Sequence, residues 1–292
     1  MTDPQALRAQ ADRILELHET GALDEALDAC SRLLERVDPD DLDVDEVVRE
    51  SAFTARFQRA VLYTELGDLE AAATAYGEAA QTPTDLDDPD QRHELAMALL
   101  NHGICLEALG EVEEALGVYD RLVVSLGDAD DPVTADQVVR GRVNRAAAML
   151  SLGRVHEALT VAEGLAGDLD AGDAFDAEQL TMASRLRAVA LTELGRPEEA
   201  AAVLAGLDGV NDEEVPVRRQ LASAAAERAR LLVGLDRTAE ALPVLEAPLR
   251  RYAGASDDEE LAELVIDLRT LQAEVLEALG EVDRAQGVRS QG

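Results

Sequence analysis

Leu109-Gly110-Glu111-Val112-Glu113-Glu114-Ala115-Leu116-Gly117-Val118-Tyr119-Asp120 is the stretch that decides the fold. A Leu-Gly pair is followed, five residues after the glycine, by alanine. Outward from here the same spacing returns along the whole chain. The turn residues are Gly21, Gly67, Gly110, Gly153, Gly195 and Gly280, with Asp236 in the remaining place. The alanines are Ala26, Ala72, Ala115, Ala158, Ala200, Ala241 and Ala285. Successive turn residues lie 41 to 46 residues apart. A period of this size marks a repeat array, whose core is buried between neighbouring units.

Two further columns share the register. Seven residues before each turn stand Ala60, Gly103, Ala146, Ala188, Ala229 and Ala273, with only Ile14 large. Four before it stand Leu17, Tyr63, Leu106, Met149, Leu191, Leu232 and Leu276. Antiparallel helices joined by a tight turn need a residue that tolerates positive φ, hence Gly or Asp. Where the helices cross most closely the side chains must be small. The bulky column fills the space beside that crossing.

With Ala98-Leu99-Leu100-Asn101-His102-Gly103 ahead of the opening stretch, this small, large, Gly and Ala pattern resembles the tetratricopeptide repeat. It is most similar to a bacterial long-repeat subtype of about 43 residues. The resemblance covers almost the whole chain. It implies an all-α fold, a right-handed α-α superhelix, or solenoid, of about seven helical hairpins. We expect a single such domain over residues 1–292, with repeats near 5–38, 45–84, 90–127, 134–168, 174–208, 214–253 and 257–290. The stretches between repeats are acidic and carry Pro or Gly: Asp38-Pro39-Asp40-Asp41, Asp87-Asp88-Pro89-Asp90, Gly127 to Pro132, Gly167 to Asp173, Gly209-Val210-Asn211-Asp212 and Gly254-Ala255-Ser256-Asp257. Gly stops one helix; Asp and Pro start the next. Thr134-Ala135-Asp136-Gln137 and Ser256-Asp257-Asp258-Glu259 are expected to form capping boxes. The aspartate spacings do not reproduce an EF-hand loop. The last hairpin ends in a short second helix over Glu281 to Ser290.

Composition narrows the function classes. The net charge is −35, and all 26 basic residues besides histidine are arginine. Either a high-GC coding bias or adaptation to high salt would give a lysine-free acidic chain. Such a surface repels phosphate backbones and anionic lipid, so no nucleic-acid or membrane partner is expected. Cys30 and Cys105 lie far apart and read as buried small hydrophobes in a reducing compartment. The N-terminus lacks a signal-peptide pattern and no apolar run approaches a membrane span, so a cytoplasmic location is expected. His18, His93, His102 and His156 show no i, i+4 pair. Neither a nucleophile elbow, a phosphate loop nor a His-Glu-x-x-His motif is present, so we expect no enzyme, no cofactor and no metal site.

One column is cationic. Eight residues before each turn stand Arg13, Arg59, His102, Arg145, Arg187 and Arg228, ending in Gln272. Four after the turn stand Glu25, Ala71, Glu114, Glu157, Glu199, Glu240 and Arg284. At 100° per residue the cations leave the helix only about 40° from the bulky column, on the packed side. We read them as a structural ladder paired with the glutamates. A basic surface for an acidic partner is the alternative.

In the resembling family the first helix of each repeat lines the concave face. By register that face takes the residues thirteen, nine, six and two before each turn. Among these, Met97, Asn101, Ile104 and Ala108 are followed by Arg140, Asn144, Ala147 and Ser151, then by Met182, Leu186, Val189 and Glu193, and by Arg230. Met97, Asn101, Arg140, Asn144, Met182 and Arg230 are the candidate partner-binding residues. Asparagine offers a donor and an acceptor to an extended chain, and arginine a bidentate fork. The resemblance thus implies a non-catalytic scaffold for a protein or peptide partner, and the clipped last helix and high charge favour a monomer over self-association. A self-associating structural protein and a ligand-sensing regulatory module are the alternatives.

Overall fold

The computed structural model describes residues 3–38, 41–42, 45–252, 254 and 258–290. Its fourteen helices and absence of strands among these residues make the chain an all-α, tetratricopeptide-like solenoid. Two compact units, Met1–Leu152 and Gly153–Gly292, divide it. The first holds α1 (Pro4–Glu19), α2 (Leu23–Leu34), α3 (Glu46–Glu65), α4 (Leu69–Ala79), α5 (Pro89–Ala108), α6 (Val112–Leu126) and α7 (Pro132–Ser151). The second holds α8 (Val155–Asp168), α9 (Ala174–Glu193), α10 (Pro197–Ala205), α11 (Val215–Gly234), α12 (Thr238–Arg251), α13 (Glu259–Ala278) and α14 (Val282–Arg289). Odd-numbered helices are the first of each hairpin.

The turn chemistry is uniform. The six turn glycines have φ between 71° and 82°, and Asp236 takes the same left-handed conformation at 60°. In the hairpin of α5 and α6, Gly110 N–H donates to the Glu107 carbonyl and Glu111 N–H reaches back to the Leu106 carbonyl, both at 2.9 Å. The same pair of bonds closes the turns at Gly21, Gly67, Gly195, Asp236 and Gly280. This is the Schellman arrangement, which satisfies the last carbonyls of a helix. The bulky residue four before the turn therefore both fills the core and supplies the closing acceptor.

All seven alanines after the turn are buried. So is the small column, and Gly103 shows why one member is glycine: a Cβ there would run into the Tyr119 ring. The bulky column is buried except for Tyr63, which is half-exposed. In the first unit Leu7 and Ile14 of α1 pack with Cys30 and Leu33 of α2 and Val48 of α3. In the second, Leu232 of α11 packs with Leu245 of α12 and Leu261 and Leu268 of α13. Both cysteines are free and buried, and burial pushes the Cys30 thiol up to about 11.

Aspartate starts the first helices. Asp3, Asp45, Asp88, Asp131, Asp173 and Asp258 each accept from a backbone N–H one or two residues into the helix. The acidic connections thus serve as N-caps. Two expectations change. The expected capping box at Thr134 does not form. Asp131 caps α7, accepting from Thr134 N–H at 2.8 Å, and Pro132 occupies the first helical position, so Thr134 lies inside the helix. An Asp-Pro pair pre-sets a helix start more strongly than a threonine three residues on. At the seventh hairpin the cap is Asp258, while Ser256 and Asp257 of the expected box lie outside the described residues. So do Pro39, Asp40, Ala255 and the expected repeat bounds at 253 and 257. Among the described residues no helix is long and apolar enough to cross a membrane.

Candidate functional site

Five of the six cations in the column are ion-paired, with partners that differ from those expected. Arg145 donates to Asp120 at 2.5 Å, Arg187 pairs with Glu163 at 3.3 Å, and Arg228 with Asp208 at 2.8 Å. Each acid belongs to the hairpin before its arginine. Arg59 pairs with Glu78 in its own hairpin, and Arg13 with Glu16 on its own helix. The expected partners Glu157, Glu199 and Glu240 are held instead by the arginine immediately after each turn: Arg154 at 2.5 Å, Arg196 at 2.7 Å and Arg237 at 2.6 Å. An i, i+3 pair at a helix start is close enough to capture the glutamate first. Arg196 holds the Glu199 carboxyl below its ordinary range, and Arg187 adds only a smaller pull.

Met97 and Asn101 stand on α5, and Arg140 and Asn144 on α7; these two helices pack against each other. Met182 on α9 and Arg230 on α11 belong to the other unit, where those helices also pack together. Arg140 and Arg230 are exposed, and the other four are half-buried. The Asn101 amide is engaged within its own helix, donating to the Met97 carbonyl at 2.8 Å. Asn144 stands beside Tyr119, whose hydroxyl donates to Glu107 at 2.6 Å. Tyr119 is wholly buried, so this pair closes a core polar group.

One register of this face stands out for exposed apolar side chains. Six residues before the turn, Leu15, Ile104 and Val189 are 38%, 44% and 40% exposed, and Val61 at the same register is half-buried. Beside it, His18 of α1 bridges to α3: its Nδ1 lies 3.0 Å from Gln58 Oε1 and its Nε2 lies 2.8 Å from Glu65 Oε1. The Glu65 hydrogen bond raises the His18 pKa against a smaller effect of burial.

Clefts open on the other side, between successive second helices. One of about 780 Å³ lies between α10 and α12 with α11 beneath. Another of about 390 Å³ lies between α4 and α6 with α5 beneath. Each has a member of the cationic column on its floor, Arg228 in the first and His102 in the second, beside the bulky Leu232 or Leu106. None of the six candidate residues lines either cleft.

Comparison with known proteins agrees with this geometry. Tetratricopeptide repeat family models match residues 43–88 and 97–125. No curated protein matches the chain by sequence. Among solved structures, a tetratricopeptide repeat protein from Parabacteroides merdae is 14% identical with a TM-score of 0.57, covering 99% of this chain and 94% of its own. The apo form of the quorum sensor NprR from B. thuringiensis is 10% identical with a TM-score of 0.58, covering 98% and 85%. A signal transduction ATPase with numerous domains and a tetratricopeptide repeat sensor, from Pyrococcus horikoshii, is 15% identical with a TM-score of 0.63. That match covers 97% of this chain and 40% of the larger protein. Identities this low establish the fold alone.

Proposed function

The chain belongs to the tetratricopeptide-repeat family, and we propose that it is a non-catalytic interaction scaffold that holds a protein or peptide partner against the face of its first helices. The observation that carries this is the exposed apolar column six residues before the turn, with Leu15 and Ile104 in one unit and Val189 in the other. Single exposed apolar residues are ordinary on a protein surface. In the first unit this register is apolar in four hairpins, with Leu15, Val61, Ile104 and Ala147, and such a run is a candidate contact surface; in the second unit Val189 is followed by Arg230 and Glu274. Exposed Arg230 takes the same register in the sixth hairpin, exposed Arg140 lies on the same face, and half-buried Met97 and Met182 supply adaptable apolar contacts. Asn101 contributes less than its chemistry suggests, because its amide donates within its own helix.

The test is affinity purification with the wild-type chain and with a Leu15→Glu/Ile104→Glu variant. Both positions are exposed, so the variant keeps its helical signal and melting temperature. Partners recovered with the wild type are lost from the variant. Equal recovery with both would count against this face.

A further inference from the structure

The cleft between α4 and α6 opens where the ion-pair ladder is broken. In the fourth and fifth hairpins the arginine eight before the turn, Arg145 or Arg187, pairs with an acid ten after the preceding turn, Asp120 or Glu163. At the same two places the third hairpin carries His102 and the second carries Gly77. A Cβ at Gly77 would lie 3.1 Å from the His102 ring, so the imidazole rests against bare backbone. A second exchange releases a carboxylate. Glu157, Glu199 and Glu240 are each held by an arginine just after the turn, but ahead of Glu114 that place is Glu111. Glu114 lines the cleft and has no ion pair among the described residues.

The lining groups stand in a row. Glu114, Gly117 and Arg121 follow one another along one face of α6, and His102 of the antiparallel α5 comes level with the middle of that row. Arg121 donates to the Ala80 carbonyl at 2.9 Å and has no carboxylate partner among the described residues. Gln81, next in the chain after Ala80, lines the same end. The cleft thus has a carboxylate at one end and a guanidinium with an amide at the other, about 10.5 Å apart along α6 at 1.5 Å per residue. The two charges are opposite but held apart. Between them the pKa of His102 is lowered by burial and then by the Arg121 charge. A neutral imidazole offers one donor and one acceptor, the complement of a peptide group. Gly77 and Gly117 stand inside helices, where glycine is disfavoured, and a Cβ at Gly117 would meet nothing within 4 Å. Packing therefore does not ask for Gly117, and its missing side chain leaves the cleft open.

We propose that this cleft is a second binding site, separate from the first-helix face, and that it takes a free tripeptide of small residues. The ammonium meets Glu114, the carboxylate meets Arg121 and Gln81, and a peptide group lies against His102 between Gly77 and Gly117. An extended chain covers about 3.3–3.6 Å per residue, so three residues match the separation of the two ends.

The test titrates the full chain with tri-alanine by calorimetry. Tri-alanine binds saturably. N-acetyl-tri-alanine and tri-alanine amide each bind about tenfold more weakly, because each has lost one charged hydrogen-bonding end. Glu114→Gln weakens tri-alanine and leaves the acetylated peptide unchanged. Arg121→Gln weakens tri-alanine and leaves the amide unchanged. Gly117→Leu places a side chain in the cleft; a Cβ there meets nothing and leucine favours the helix, so this variant folds, and it binds no peptide. The proposal is overturned by absence of saturable binding, by capped peptides that bind as tightly as tri-alanine, or by binding that Gly117→Leu leaves intact. Free alanine binding as tightly as tri-alanine would mean that the two ends are not read together, and also overturns it. Leu15, Ile104 and Val189 take no part, so failure here leaves the first-helix proposal standing.

Discussion

Arg145 Nε donates to Asp120 Oδ1 at 2.5 Å, and the bond runs backwards along the chain, from the first helix of one hairpin to the second helix of the hairpin before it. Arg187 and Glu163 repeat the relationship in the other unit, as do Arg228 and Asp208. Within a unit the cationic column therefore ties successive hairpins together, in addition to the apolar core they share.

A double-mutant cycle on Arg145→Ala and Asp120→Ala measures the tie. Both side chains are partly exposed, so the coupling is modest, about 0.5 kcal/mol and smaller at high salt. The cycle on Arg145→Ala and Glu157→Ala gives additive losses, because Glu157 is held by Arg154. Urea denaturation of the three single and two double variants reads both.

The small, bulky and turn columns were legible in the sequence because close packing and positive φ demand a residue size or type at fixed register. The arginine partners were not. Helical projection places Arg145 on the packed side, but that side faces both its own hairpin and the preceding one, and an arginine stem reaches either. The candidate face was partly legible. Ile104 and Val189 stood in the expected register, and Leu15 and Val61 extend it once the column is followed through. Nothing in the spacing of Asn144 shows that the Tyr119 hydroxyl lies beside it, since that contact joins two hairpins.

Gly103→Ala tests the crossing in the hairpin of α5 and α6. Alanine is the better helix former and occupies this register in other hairpins, yet here its Cβ meets the Tyr119 ring. Overpacking wins, and the variant loses about 1–3 kcal/mol. Combining it with Tyr119→Leu recovers part of the loss, an effect that thermal melts of the single and double variants resolve.

Asp131→Ala tests the corrected start of α7. It removes the bond to Thr134 N–H and the ion pair with Arg92 at 3.1 Å, and costs about 1 kcal/mol or slightly more. Asp131→Ser keeps a capping oxygen and loses only the ion pair, so it falls between the wild type and the alanine variant in denaturant midpoint.

His18 gives a pH dependence of known sign. Its folded pKa is raised above the ordinary value of 6.5, chiefly by the hydrogen bond it donates to the Glu65 carboxylate, with smaller contributions from Gln58 and the Glu19 charge. The protonated ring is favoured in the folded state, so the stabilisation is full below pH 6.5 and is lost as pH rises through the raised value. His102 opposes it: burial, and then Arg121, lower its pKa, so its contribution is present above 6.5 and lost as pH falls through the lowered value. The clean readout is the difference between wild type and His18→Gln. That difference shrinks as pH rises from the mildly acidic to the mildly alkaline range. A pH-independent difference would exclude the charged bridge.

The central claim, that the first-helix face receives the partner, is tested most directly by hydrogen exchange on the chain alone and with the partner recovered by affinity purification. Slowed exchange in the segments around Leu15, Met97 to Ile104 and Arg140 to Asn144, with α4 and α6 unchanged, is the result predicted. Protection confined to α4 and α6, with those first-helix segments unaffected, would contradict it.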